Sequence, residues 1–169
     1  MRFELVSSVK AGFCTFAELS PTHQTLIRRA RDATRLSYSP YSRYCVGCAI
    51  ALKDGEIVVG ANHENASYGL TCCAERTTIF TINNMGRRSD ISTIAVTARP
   101  ADADSSYVGK QVVAPCGACR QIIKESEDLA GSPIFILMDC FDNNNIACIN
   151  GIAGLLPLAF GPADLGITI

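Results

Sequence analysis

Two short stretches of this 169-residue chain carry residues that can do chemistry: residues 71–76, T-C-C-A-E-R, and residues 115–121, P-C-G-A-C-R-Q. In the second, Cys116 and Cys119 follow a proline suited to the first turn of a helix, so their side chains share a helix face. The unpaired N–H groups and positive dipole end there favour thiolates, and such a pair can grip zinc. Another C-x-x-C pair, Cys45 and Cys48, lies in a β-rich run where an i, i+3 pair points to opposite faces and cannot hold one ion. A structural zinc site would want a fourth protein ligand, yet the two histidines, His23 and His63, stand alone. Adjacent Cys72 and Cys73 diverge by about 100° on a helix, so one of them joins the pair. Three protein ligands and one position open to water make the plan of a catalytic zinc.

Glu75 falls on the same helical stripe as Ile79 and Ile82, the face that turns inward. An acid buried there costs free energy unless something uses it, and beside three thiolates it reads as a general base for the water. Three thiolates on a dication leave a net negative charge, which makes the ion a poorer Lewis acid. Arg76 or Arg120, donating to the sulfurs, together with two helix N-termini, would compensate.

The elements that must hold these residues follow from the pattern. Ser20 and Pro21 open a helix expected to run to the S-P-Y-S turn around Pro40. Asp54-Gly55 between apolar runs predicts a hairpin. A helix spans residues 73–84, a strand 92–98, a helix 115–125 and a buried strand 133–139, with D-N-N-N turning into one more strand before an irregular C-terminus. Helices interleaved with short apolar strands argue for an α/β layer sandwich around a mixed sheet. Residues 1–20 read as an N-terminal extension and 21–169 as a single domain.

With 15 Lys+Arg against 16 Asp+Glu the net charge is −1, which gives no general attraction for nucleic acid or anionic lipid and favours a small-molecule substrate. No apolar run approaches the roughly 20 residues that span a bilayer, and the opening residues lack the apolar core of a signal peptide, so a cytoplasmic protein is expected. Nine cysteines cannot all pair, and in a reducing compartment they serve metal or packing. Isolated Cys14, Cys140 and Cys148 read as small buried hydrophobes.

At these residues the sequence resembles the zinc-dependent cytidine deaminases of the short, homotetrameric type. The resemblance covers roughly residues 20–166 and rests on P-Y-S-R-Y-C-V-G-C-A, G-A-N-H-E-N-A-S-Y, C-A-E-R-T, P-C-G-A-C-R-Q and L-L-P-L-A-F-G-P-A-D-L, in family order and spacing. It implies a three-layer αβα sandwich around a mixed five-stranded sheet, and one zinc ion per subunit on Cys73, Cys116 and Cys119, with Cys72 a neighbour. It further implies Glu75 as proton shuttle, the Ala74 N–H on the pyrimidine carbonyl, and Asn62 and Glu64 on the ribose hydroxyls. Tyr44, Tyr68 and Phe160 complete the implied substrate contacts, Phe160 from a neighbouring subunit in a tetramer with shared active sites. Tyr44 stands where the family usually has phenylalanine packing on the base. Asn62 and Glu64 share one face of an extended segment and suit vicinal hydroxyls, while His63 points away and reads as structural. The expected activity is hydrolytic deamination of cytidine, and of 2'-deoxycytidine, in pyrimidine salvage. A polynucleotide-editing deaminase and a non-enzymatic zinc module are the rivals. The first wants a cationic surface, and the second leaves the absent fourth ligand unexplained.

Overall fold

The computed structural model describes residues 9–168. Three helices, α1 (Pro21–Ala33), α2 (Ala74–Asn84) and α3 (Gly117–Ala130), flank a sheet of β1 (Gly12–Cys14), β2 (Tyr44–Leu52), β3 (Ile57–Ala61), β4 (Ile91–Pro100), β5 (Phe135–Met138) and β6 (Ile146–Asn150). The strand order is β1-β6-β5-β4-β2-β3. Only β4 and β5 pair in parallel, joined by a crossover that contains α3; the other neighbours are antiparallel.

Alternation along the strands splits the core into two layers. Ile50 and Leu52 of β2, Ile94 and Val96 of β4, and Ile136 and Met138 of β5 pack with Ile79 and Ile82 of α2 and Ile123 of α3. The intervening Ala49, Ala51, Ala95 and Leu137 meet Leu26, Ile27 and Ala30 of α1. Small residues on that second face let α1 lie close: a Cβ on Gly47 would sit 2.1 Å from the Ala30 carbonyl oxygen, a gap only glycine allows. Cys45 and Cys48 fall on opposite faces of β2, with Cys48 in the α2/α3 layer.

The second helix, α2, matches its expected span to within one residue, while α1 and α3 end elsewhere than expected and α3 starts at Gly117, two residues after Pro115. Ser20 caps α1 by accepting from the His23 N–H. That helix ends at Ala33 in a 3-10 turn over Thr34–Leu36, short of Pro40. In the other direction α3 outruns residue 125 to Ala130, where Gly131 adopts the left-handed φ of 64° and stops it. Lys53, Asp54 and Gly55 make the expected hairpin turn between β2 and β3, with Gly55 at φ 91°.

The sheet has six strands where five were expected. The extra one is β1, drawn from the segment read as an extension: Gly12, Phe13 and Cys14 pair with Cys148, Ala147 and Ile146 of β6. Three residues carry no measurable alternation, so their strand character comes from the open edge they cover.

Because β2 is antiparallel to both β3 and β4, those two strands run the same way, and the loops leaving their carboxyl ends start at one end of the sheet. The loop after β3 leads to α2 and the loop after β4 leads to α3. Both helix N-termini therefore meet there, at the carboxyl ends of strands where open α/β sheets bind ligands.

Candidate active site

Cys73 is the N-cap of α2 and Cys116 the N-cap of α3, both extended, and neither uses its sulfur to cap. Cys119 follows in the first turn of α3 and is fully buried. The Cys73 and Cys116 sulfurs lie 3.8 Å apart and those of Cys116 and Cys119 3.5 Å apart. Four ligands about 2.3 Å from a zinc ion at tetrahedral corners are separated by about 3.8 Å, so these two separations are close to the edge lengths of such a tetrahedron, and all three sulfurs lie within 4.8 Å of one another. Among the described residues this cluster has these three members only, leaving one corner open. Cys72 is outside it: its N–H and carbonyl both bond the backbone of His63, each at 2.9 Å.

The charge at the cluster is shaped from two sides. The neighbouring sulfurs, that of Cys119 first, and the Arg76 guanidinium push the Cys73 thiol down to about 5 against the effect of burial. Cys119 is correspondingly raised, by the Cys73 sulfur first and then by burial. Sulfurs this close sharing protons are a donor set that a dication would fill, releasing those protons. Nη2 of Arg76 lies 3.8 Å from the Cys73 sulfur and donates to the Thr71 carbonyl at 2.8 Å. Arg120 does not reach the sulfurs. Its Nε and Nη1 donate to the carbonyls of Pro115 and Leu155, both at 2.8 Å, so it ties the start of α3 to the C-terminal segment.

Glu75 shares the inward face of α2 with Thr78, Ile79 and Ile82 and is only 3% exposed. Burial raises its carboxyl to about 6, with the negative charge of Cys73 adding, while its own N–H and the Cys119 thiol pull the other way. It faces a cavity of about 190 Å³ whose wall also includes Tyr44, Val46, Asn62, Thr71, Cys73, Val113, Ala114 and Cys116. Ala74 lies buried as the first residue of α2, where an N–H has no acceptor within the helix.

Asn62 is more occupied than its sequence suggests. Its Oδ1 accepts from the Val46 N–H at 2.8 Å and the Ser37 hydroxyl at 2.6 Å, and Nδ2 donates to the Tyr44 carbonyl at 2.9 Å. One amide hydrogen remains, and the side chain locks the start of β2, which aims Tyr44 at the cavity. Glu64 accepts the Tyr41 and Ser42 N–H groups on Oε2, at 2.9 and 3.2 Å, leaving its other oxygen for a further donor. The Ser42 hydroxyl, then these N–H groups, hold its carboxyl below the usual range. His63 between them is exposed and contributes backbone bridges to Tyr38 and Cys72.

Of the expected substrate contacts, Tyr44 and Asn62 line this cavity, Ala74 and Glu64 come shortly after lining residues in the chain without lining it themselves, and Tyr68 and Phe160 stand elsewhere. Tyr68 is 60% exposed, its ring 5.6 Å from Tyr41, and Phe160, 59% exposed, lines a different hollow with Glu125, Pro162 and Leu165. Conversely, Val46, Thr71, Val113 and Ala114 line the cavity without having been singled out. Val46 was legible as the second residue after Tyr44 on one strand face, whereas Val113 and Ala114 sit in a loop with no periodicity to read.

Residues 20–130 match the family described as the cytidine and deoxycytidylate deaminase zinc-binding region. The chain belongs to this family. It is 50% identical over 102 residues to a cytidine deaminase of Halalkalibacterium halodurans, covering 60% of this chain and 70% of the relative. Against a cytidine deaminase of Sporosarcina psychrophila it is 37% identical over 142 residues, 84% of this chain and 93% of the other. A crystal structure of cytidine deaminase from Burkholderia pseudomallei superposes with a TM-score of 0.68 at 35% identity, over 82% of this chain and 98% of that one. One from Mycobacterium tuberculosis does so at 0.60 and 32%, over 82% and 97%. The three-sulfur cluster fits the zinc that gives the family its description, and the chain is an enzyme of this class. No helix among the described residues is long and apolar enough to cross a membrane.

Proposed function

We propose that this chain is a hydrolase that converts cytidine, and 2'-deoxycytidine, to uridine or 2'-deoxyuridine and ammonia, in salvage of pyrimidine nucleosides. The observation that carries the reading is a carboxyl only 3% exposed, on the wall of a cavity shared with two sulfurs of an open-cornered metal cluster. Zinc on Cys73, Cys116 and Cys119 would supply the Lewis acidity that makes water nucleophilic near neutral pH.

The chain's own residues do the rest. Glu75, raised to about 6, can both take and give a proton near neutrality. It takes a proton from the water that adds to C4 and delivers it to ring N3, then takes the second from the new C4 hydroxyl and passes it to the exocyclic nitrogen, so the C4–N bond breaks, a C4 carbonyl forms and ammonia leaves. The Ala74 N–H holds the ring carbonyl, with the α2 dipole behind it. The remaining amide hydrogen of Asn62 and the free oxygen of Glu64 hold the ribose hydroxyls, and Tyr44 packs on the base. Arg76 draws negative charge from the Cys73 sulfur and keeps the cluster from becoming too electron-rich.

Phe160 and Tyr68 enter this scheme only if another copy of the chain stands beside the cavity, as in the homotetramer with shared active sites that we propose. Leu158, 85% exposed, and Phe160 give that copy an apolar surface to cover. Sedimentation equilibrium reading one chain's mass would remove both residues from the site. Nine free thiols suit the cytoplasm. The balanced charge speaks against a polynucleotide substrate and the open corner against a purely structural zinc.

The test is loss of cytidine absorbance and release of ammonia on adding the zinc-loaded protein, with and without a chelator. Turnover that the chelator stops supports the reading. A protein holding one zinc per chain that releases no ammonia from cytidine or 2'-deoxycytidine overturns it.

A further inference from the structure

Asp139 follows β5 at the same end of the sheet as the cavity, and its side chain is wholly excluded from water. A carboxylate so placed is destabilising unless its lone pairs are filled. Arg31 of α1 donates Nε to Oδ2 at 2.9 Å and Nη2 to Oδ1 at 2.7 Å. Oδ2 also accepts the Thr97 hydroxyl from β4 at 2.7 Å and the N–H of Phe141 at 3.2 Å. That last bond pins a strained point. Phe141 has φ 62°, the left-handed region that a bulky side chain avoids, and the Arg31 guanidinium lies 5.4 Å from its ring.

The turn so fixed presents two carbonyls to the segment that walls the cavity. The Asp139 carbonyl accepts the Val113 N–H at 3.2 Å, and the Cys140 carbonyl accepts the Gly109 N–H at 2.8 Å. Gly109 comes so close that a Cβ there would lie 2.4 Å from the Cys140 oxygen. Tyr107 adds an edge-on contact to the Phe141 ring at 6.0 Å. Residues 101–116 belong to no helix or strand, so these bonds set where Val113 and Ala114 stand in the cavity wall.

We propose that the Arg31–Asp139 pair is a positioning device for the substrate pocket, holding the 107–114 segment at the distance that lets Val113 and Ala114 close on the nucleoside. The inference rests on the cavity being the nucleoside site. Neither Arg31 nor Asp139 lines the cavity, so both act through the segment they hold.

The experiment compares zinc-loaded wild type, Asp139→Asn and Arg31→Lys, which keeps the charge but loses the two-pronged grip. Each is measured for KM and kcat with cytidine, for zinc content, and for amide hydrogen exchange at Gly109 and Val113. A loosened wall predicts KM up about tenfold in Asp139→Asn and about threefold in Arg31→Lys, with kcat changed less than KM and zinc unchanged. Exchange at both amides should quicken by about tenfold more in Asp139→Asn than exchange of the α2 amides, which follows only the global loss of stability. Unchanged exchange at Gly109 and Val113, or faster exchange with KM within about twofold of wild type, overturns the proposal. If Asp139→Asn does not fold, Arg31→Lys decides by the same readings. A wild type inert toward cytidine would overturn the nucleoside reading instead, and the exchange rates would still show whether the pair holds the segment.

Discussion

Of the carboxyls buried among the described residues, Glu64, Glu75 and Asp139, the last two have surroundings that differ in every respect that matters. Asp139 is completely enclosed and filled: both oxygens accept from Arg31, and Thr97 and the Phe141 N–H take the remaining room. Glu75 is only 3% exposed, yet among the described residues no cation stands within ion-pair distance of it. Burial raises its carboxyl to about 6, which suits the proton transfer proposed for it, whereas Asp139 spends its oxygens on hydrogen bonds. The contrast separates two uses of buried charge. A filled carboxylate holds elements together, and an unpaired one on a cavity wall is the kind of group that a proton-transfer site would keep.

The comparison can be broken from several directions. The largest effect is expected at the sulfurs: Cys119→Ser should lose zinc and all measurable turnover, because the buried member of the cluster cannot be replaced from solvent. Metal analysis after dialysis checks it. Next comes Asp139→Asn, which leaves Arg31 facing an amide and should lower folding stability by about 3 kcal/mol, the lower range for breaking a buried pair. Urea unfolding measures this, and a loss under about 1 kcal/mol would put Asp139 in the same class as exposed pairs. Arg76→Gln should lower zinc affinity or turnover by about 10- to 100-fold without a comparable loss of stability, as expected when a partner behind a metal ligand is removed. The smallest effect belongs to Cys72→Ser, whose sulfur lies outside the cluster: zinc content and turnover should stay within about twofold of wild type.

Much of the site was legible because it is built from local rules. Pro115 and Ser20 mark helix starts, the i, i+3 spacing of Cys116 and Cys119 fixes a shared face, and Glu75 announces itself as an acid on the apolar stripe of α2. The geometry that joins these pieces was not local. That Cys73 and not Cys72 faces the pair depends on two helices starting at one end of the sheet, which follows from strand directions and from no single segment. Arg120 looked as able as Arg76 to serve the sulfurs, and only the fold shows it turned to the carbonyls of Pro115 and Leu155 instead. Asn62 carried the right chemistry for a sugar, but its bonds to Val46, Ser37 and Tyr44 depend on β2 and β3 lying side by side. Asp139 gave no signal at all: one aspartate after a buried strand has no period, and its partner is 108 residues earlier. Strand β1 was missed for a related reason, since three residues gain their pairing from β6 and not from their own pattern.

The most direct test of the central claim is to replace Glu75 by glutamine and measure turnover, zinc content and thermal stability on one preparation. The account predicts one zinc per chain, a melting temperature equal to or above wild type, and kcat lower by about a thousandfold or more, within the range of losing a positioned general acid–base. A Glu75→Gln protein that unfolds earlier while still turning over cytidine at more than about a tenth of the wild-type rate would make Glu75 a structural acid like Asp139 and contradict the account.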